Sequence, residues 1–539
     1  MKISEYLIKS IEDTGTRHVF GIQGDYILNF YNQLCESNLR VVNTCTEQGA
    51  GFAADAYARI TGFGVVCVTY GVGGLSLANS TAQAFAERSP VLVISGAPGV
   101  SERQHNPLLH HKISSFQAQL NIFREMTVAQ AVLEDSNTAG SEINRVINAI
   151  KETKRPGYIE LPRDMVNEET YELVLPLKEP LPIDQNIIDQ ACHKALDMIA
   201  KAKRPIIIAG VEVHRFGLQE LLLRFITRSG LPFVTGVLGK SVIAENHPQF
   251  IGVYAGAMSP ENVRSAVEDS DCVIAIGPLI TDLATGMFSY HINPNQAIVS
   301  SPDSLFVGSQ SYPGISMGKF LELITLLPQP KLTSQSLNNY EIPSFVPEPD
   351  KAVSVERLIV CVNSFITDDT VVIADVGDTL FAGLDLRVHG KTEFFSPAYY
   401  ASLGFAIPAA SGVQFAMPKK RVVILVGDGS FQMSAAELSV AARYQLNPVV
   451  IVFNNGGYST FRSMIDGEFN DVQPWRYAEI VKVIGAGEGY TVSKEEELSA
   501  ALLAAKNNNS SPTIIDVRLE KNDCSERLRK LTDKLKKRV

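Results

Sequence analysis

What the chain lacks narrows the possibilities first. No apolar run approaches the roughly 20 residues that a membrane-spanning helix needs. The opening stretch, MKISEYLIKSIEDTG, holds acidic side chains and no apolar leader segment. These absences lead us to expect a cytoplasmic protein with no membrane partner. The seven cysteines stand scattered at 35, 45, 67, 192, 272, 361 and 524 and form no CxxC pair. Neither a zinc site nor a disulfide framework is indicated, and small buried thiols in a reducing compartment are expected. A basic surplus is missing as well. The formal charge of -10 leaves no electrostatic footprint for nucleic acid. The tail SERLRKLTDKLKKRV is basic and amphipathic, and we read residues 523–539 as a solvated terminal helix. Short-period repeats are absent too.

What is present is the composition of an ordinary globular protein, 45% apolar and 20% charged. At 539 residues the chain exceeds one hydrophobic core. Short β-branched runs such as GVVCVTYG, RPIIIAGVEV and RVVILVGDGS alternate with helical patterns from end to end. Near-continuous apolar strands alternating with helices imply parallel sheets covered on both faces. Two segments rich in Pro, Ser and Asn interrupt the alternation, Leu177–Asp184 and Leu327–Ala352. The expected organisation is therefore α/β, with three doubly wound, mostly parallel-sheet domains at 1–176, 185–326 and 353–522. The middle one shows no G-x-G-x-x-G fingerprint between a strand and a helix, so no FAD or NAD site is expected there.

The stretch RVVILVGDGSFQMSAAELSVAARYQLNPVVIVFNNGGYSTF is the most informative. Two buried strands each end in small polar residues, where an open parallel sheet binds its ligands. Between them SAAELSVAARYQL reads as a helix with Ser434 as N-cap, Glu437 as the capping-box partner and Asn447-Pro448 as the stop. A single crossover should bring Asp428 and Asn455 together. One carboxylate, one amide oxygen and a backbone carbonyl from Gly456-Gly457 make a hard-oxygen set suited to Mg²⁺ or Ca²⁺ beside a diphosphate. Ser430 and the N–H groups of the glycine turn would hold the phosphates. GDG alone is usually a turn. GDG, a helix and then NN, with Asn455 27 positions after Asp428, is far more specific.

With these residues the sequence resembles the thiamine diphosphate enzymes. The resemblance implies thiamine diphosphate and Mg²⁺ as cofactors, with Asp428, Asn455 and the Gly457 carbonyl as metal ligands. It places Gly427, Gly429, Ser430, Asp378, Thr379 and Tyr458 against the cofactor. In YYASLGFAIPA, Leu403 would support the cofactor's bent shape and the Ala401 carbonyl would accept a bond from its aminopyrimidine. The segment VVNTCTEQGAGFAADAYARITG matches the family's catalytic strand and helix. Val41–Thr46 would be the strand and Glu47 the carboxylate set against the pyrimidine ring nitrogen. Without that context, a glutamate opening a helix is an ordinary favourable charge.

Asp25 in HVFGIQGDYILNF and the adjacent His110 and His111 in NPLLHHKI resemble the pyruvate and indolepyruvate decarboxylases, the non-oxidative 2-oxo acid branch. Histidines suit proton exchange near neutral pH. That branch implies release of CO₂ and an aldehyde from a 2-oxo acid, in a homodimer or homotetramer with the cofactor at the subunit interface. A carboligase or lyase of the same superfamily, or a cofactor-binding protein without turnover, remains as an alternative. One position departs from the pattern: where the pyruvate enzymes carry a glutamate three residues after the Tyr of NN-x-GY, this chain has Phe461. Phe461 and Leu380, with Leu283 and Met464, would line a wider and more apolar pocket, suited to phenylpyruvate or indolepyruvate rather than pyruvate. Asp282 in ITDLATGMFSY either supplies the missing carboxylate or caps the next turn.

Overall fold

The computed structural model describes residues 1–171, 184–327, 338 and 341–536. Of the two Pro-rich segments, 177–183, 328–337, 339 and 340 lie outside the described residues. Asp184 caps the helix Gln185–Lys201 through Asn186 N–H, and the Asn338 amide donates to the carbonyls of Glu245 and His247.

Three sheets follow one another along the chain. The first holds β1 (His18–Gly21), β2 (Arg40–Asn43), β3 (Gly64–Val68), β4 (Val91–Ala97), β5 (Gln130–Val132) and β6 (Gly157–Pro162), in the spatial order 2-1-3-4-6-5. The second holds β7 (Pro205–Ala209), β8 (Phe233–Gly236), β9 (Phe250–Tyr254), β10 (Cys272–Ile276), β11 (Ala297–Ser301), β12 (Ser304–Val307) and β13 (Gln310–Pro313), ordered 13-12-11-10-7-8-9. The third holds β14 (Thr370–Ala374), β15 (Glu393–Phe395), β16 (Arg421–Gly427), β17 (Val449–Asn454), β18 (Glu488–Val492) and β19 (Thr513–Arg518), ordered 15-14-16-17-19-18. The outer sheets are parallel throughout, while β12 and β13 run antiparallel at the edge of the middle one. Among the described residues no helix is long and apolar enough to cross a membrane.

The first and third sheets have the same strand order, and their equivalent crossover helices meet. Glu47–Thr61 leads from β2 to β3, Ala406–Ala416 leads from β15 to β16, and the two pack face to face. Small residues make the contact possible: a Cβ on Gly412 would stand 2.0 Å from the Ala53 carbonyl oxygen. The first of these helices is well delimited. Thr46 caps it by accepting from Gly49 N–H, and Gly62 ends it in the left-handed conformation that only glycine adopts without cost. Buried charges join the domains. Arg59 pairs with Asp55 and Glu87, and Glu87 also accepts from the Tyr399 and Tyr400 N–H groups. Lys240 pairs with Glu245 at 2.6 Å and donates to the Leu386 carbonyl, which ties the middle sheet to the third.

Three local expectations are corrected. The strand before Glu47 ends at Asn43, because Cys45 and Thr46 turn their N–H groups toward Glu437 rather than into a ladder. The helix after β16 begins at Asp428 and passes Ser434 without a cap there. Glu437 is thus not a capping-box residue. Its buried carboxylate accepts from Cys45 N–H (3.2 Å), Thr46 N–H (2.8 Å) and Thr46 Oγ1 (2.7 Å) in the first domain. Finally, the terminal helix is not solvated. Glu526–Leu535 buries Leu528 and Leu531, and Ser525 at its start donates to Asp378.

Candidate active site

Open parallel sheets bind ligands where the strand order reverses, because the loops there diverge and leave a crevice. In the third sheet that point lies between β14 and β16. The third-domain residues expected at the cofactor, the metal and the substrate, from Asp378 to Met464, line one cavity there of about 290 Å³, and Leu283 of the middle domain joins them.

Asp428 opens the helix after β16. It is buried, and its carboxylate accepts from Gly429 N–H at 2.7 Å, Gly456 N–H at 2.7 Å and Gly457 N–H at 3.0 Å. The ends of β16 and β17 therefore meet as the crossover requires. Burial pushes the Asp428 carboxyl up to about 6, and the hydrogen bonds oppose this. No cationic side chain among the described residues forms an ion pair with it. A buried carboxylate held by N–H donors and facing a cavity beside Asn455 and the Gly457 carbonyl fits a hard divalent cation. The glycines bring backbone to the cavity wall. A Cβ on Gly429 would stand 2.5 Å from the Tyr458 ring, and one on Gly457 2.0 Å from the Asn470 carbonyl oxygen. These features fit a diphosphate and its metal.

Sequence reasoning missed two supports of this wall. Asp375, at the end of β14, is fully buried and accepts from the N–H groups of Val376, Gly404 and Ala406. The Ser430 side chain lies beside it. Burial pushes the Asp375 carboxyl up to about 6. Between these anchors Ala401 takes a left-handed backbone, φ 61°, uncommon for a non-glycine residue. Arg462, the second support, is buried and donates to the Gly456 carbonyl at 2.9 Å and to Asp471, which fixes the NNGG turn. Both signals were in the sequence as charges beside apolar or glycine runs, but nothing local named their partners.

Two expected cofactor contacts are engaged elsewhere. Asp378 accepts from Ser525 N–H, and Thr379 Oγ1 donates to the Asp375 carbonyl at 2.8 Å. Much of the remaining lining is apolar: Leu380, Leu283, Met464 and the half-exposed Phe461 ring, with Leu531 and Leu535 of the terminal helix. Asp282 does not line it; its carboxylate accepts from Leu283 N–H at 2.8 Å and caps the short turn Leu283–Thr285.

The first sheet carries a second cluster at its own reversal, between β1 and β3. Asp25 follows β1, and its Oδ2 lies 2.7 Å from His110 Nε2. The His110 ring stacks on Tyr26 and stands edge-on to His111, with centroids 4.6 and 4.8 Å apart. Arg163 approaches Asp25 at 3.7 Å. The loop after β3 links this cluster to Glu47. Its Gly71 packs against the His111 backbone, and a Cβ on Gly73 would stand 3.6 Å from Glu47 Oε1. Gln119 fixes the loop by accepting from Gly71 N–H, and it donates to Tyr158, whose hydroxyl in turn donates to the buried Glu160. None of Asp25, Glu47, His110 and His111 lines the third-domain cavity of its own chain.

Comparison with known proteins identifies the family. Residues 1–122 match the N-terminal TPP binding domain of thiamine pyrophosphate enzymes, 192–317 the central domain and 375–517 the C-terminal TPP binding domain. The chain is 33% identical to indole-3-pyruvate decarboxylase of Azospirillum brasilense, over 93% of this chain and 92% of that protein. It is 32% identical to an alpha-keto-acid decarboxylase of Mycobacterium bovis, over 90% and 88%. Pyruvate decarboxylase 1 of Pisum sativum is 30% identical, over 98% and 92%. The chain belongs to the thiamine diphosphate-dependent 2-oxo acid decarboxylase family.

Proposed function

We propose that this enzyme converts an aromatic or branched 2-oxo acid, of the phenylpyruvate or indolepyruvate class, to CO₂ and an aldehyde. It would use Mg²⁺ and act in the cytoplasm as a homodimer or homotetramer. The observation that carries the substrate class is the apolar wall of Leu380, Leu283, Met464 and Phe461. The seven unpaired cysteines, two of them exposed, suit a reducing compartment.

Thiamine diphosphate, when bound, supplies the carbon nucleophile and the electron sink for decarboxylation. In this reading Asp428, Asn455 and the Gly457 carbonyl hold the metal, and the glycine turn with Ser430 receives the diphosphate. Leu403 supports the bend of the cofactor and the Ala401 carbonyl accepts from its amino group. Glu47 holds a proton at the pyrimidine nitrogen. Because Glu47 and the Asp25–His110–His111 cluster do not line the cavity of their own chain, a second copy would bring them to it. The His110–Asp25 pair moves the proton that the product carbon receives, and His111 faces the substrate carboxylate. Asp282 positions Leu283 by holding its turn.

A panel of 2-oxo acids with aldehyde detection tests the reading. Larger aromatic acids should give the higher kcat/KM, and Leu380→Trp should lower their values much more than that of pyruvate, since overpacking excludes the larger side chain. Equal losses on all acids would sink the pocket argument. Aldehyde formed without an acceptor excludes a carboligase.

A further inference from the structure

Two of the three sheets carry the half-sites at their order reversals. The third reversal, between β7 and β10 of the middle sheet, also opens into a cavity, of about 200 Å³. Its floor is one sheet face, with Ile208, Val273, Ala275 and Val299. Its roof is the chain between β10 and β11, including Pro278, Ile280, Ala284 and Thr285.

The cavity has a structural cause. A parallel sheet needs cover on both faces. Gln185–Lys201, Gln219–Ser229 and Met317–Leu326 pack on one face of the middle sheet. On the other lies Glu261–Glu268, while the crossover from β10 to β11 holds the short turns Leu283–Thr285 and Pro294–Gln296 where a second helix would lie. A loop fills less volume than a helix with its side chains, so a void remains under it.

The lining tells what the void accepts. It contains no Asp, Glu, Lys, Arg or His. The Tyr254 hydroxyl is committed to Glu268 and the Thr285 hydroxyl to the Thr281 carbonyl. A carboxylate entering this site would lose its hydration without a compensating charge. Apolar cavities of about 150 Å³ hold a benzene-sized molecule.

The roof is shared with the active site. Leu283 lines the third-domain cavity, and the next two residues, Ala284 and Thr285, line this one. The turn they form is closed by Thr285 N–H to the Thr281 carbonyl at 3.1 Å and by Met287 N–H to the Asp282 carbonyl at 2.6 Å. Gly286, Met287 and Phe288 then follow with φ of 57°, 63° and 57°, three left-handed residues in succession, two of them not glycine. A body wedged under Ala284 and Thr285 would shift this turn as a unit, and Leu283 with it.

We propose that the middle-domain cavity binds an uncharged, largely apolar small molecule with a phenyl or branched alkyl body, and that its occupancy adjusts the active-site wall through Leu283. Binding follows from the cavity alone. The aldehyde product as natural occupant rests on the proposed function.

Calorimetry on the holoenzyme with 2-phenylethanol, an uncharged stand-in, and phenylacetate, its anionic counterpart, tests the proposal whether or not the enzyme turns over the acids suggested above. The alcohol should bind the wild type and Leu380→Trp, whose active cavity is filled, and should bind Gly236→Leu at least tenfold more weakly. Gly236 lines the middle cavity, and a Cβ there meets nothing within 4 Å. Ala275→Leu, on the floor, gives the same reading if Gly236→Leu does not fold. Phenylacetate should bind Leu380→Trp at least tenfold more weakly than the alcohol. In steady-state assays on a 2-oxo acid that is turned over, the alcohol should change kcat or KM at least twofold in the wild type and not in Gly236→Leu. Alcohol binding unaffected by either cavity-filling variant, or lost in Leu380→Trp instead, overturns the site. An unchanged kinetic effect in Gly236→Leu overturns the coupling.

Discussion

Three buried or partly buried glutamates show how one residue type takes different work from its surroundings. Glu47 opens a helix, and its carboxylate lies beside the glycine loop after β3. Glu47→Gln keeps the shape and removes the acid. Cofactor binding should change little, while turnover and proton exchange at the thiazolium carbon fall by about 10²-fold or more, the usual worth of general acid–base catalysis. Activity within threefold of wild type would remove Glu47 from the mechanism. Glu437 spends its oxygens on Cys45 and Thr46 and so sets where that helix starts. Glu160 sits in the first sheet with the Tyr158 hydroxyl at 2.6 Å, and burial pushes its carboxyl up to about 7. Raised above its unfolded value, this group lets the native state hold a proton that the unfolded chain releases. Its contribution is full below about pH 4.5 and is lost as pH rises through about 7. Glu160→Gln keeps the acceptor and cannot ionise, so its melting temperature should fall less than that of the wild type between pH 5 and 8. Parallel profiles would mean that Glu160 is not the titrating group.

At the scale of elements, the decisive contact is the pair of crossover helices Glu47–Thr61 and Ala406–Ala416. It carries Glu47 on one side and leads back to Ala401 and Leu403 on the other. The approach is limited by backbone, since a methyl on Gly412 would overlap the Ala53 carbonyl. Gly412→Ala should therefore destabilise the fold by about 1–3 kcal/mol, as overpacking of a tight core does. Denaturant unfolding reads this directly, and a variant as stable as the parent would show that the helices can slide apart at no cost. The strand ends were legible locally. Apolar runs closing in GDGS and NNGGYS mark buried strands with polar tips, and both tips reach the cavity. Ser434 and Glu437 were misread because the S-x-x-E capping pattern is local, while the real acceptors' donors lie 391 and 392 positions away. The tail was misread for the same reason. Its amphipathic pattern was plain, but the surface that buries Leu528 and Leu531 is assembled by distant chain.

At the scale of the whole molecule, the two outer sheets share one topology, and each carries a cluster of polar side chains at the same place in it. An arrangement in which metal and diphosphate bind one half while the acid–base groups belong to a second copy links binding, assembly and stability. A ligand that binds only the assembled native state raises its stability by mass action. Dialysis against a chelator should therefore lower the melting temperature and the apparent molecular mass together. Mg²⁺ and thiamine diphosphate added jointly should restore both, and either alone should recover less. Asp428→Ala should show little of this rise. A melting temperature indifferent to both additions would place the metal site elsewhere.

The sequence by itself determined the α/β alternation and the polar strand ends that reach the third-domain cavity, because these depend on strand burial and turn chemistry that a short window records. Tertiary structure alone decided what each polar side chain faces. Asp375 became a brace for Ser430 and the Ala401 loop, Asp378 was turned to Ser525, and Asp282 was set on its own turn. It also separated Glu47, Asp25 and the histidines from the cavity they would serve. The physical reason is one of range. Burial and hydrogen bonding of a charge are settled by groups hundreds of positions away, and those groups become neighbours only when sheets, crossover helices and the terminal helix have packed.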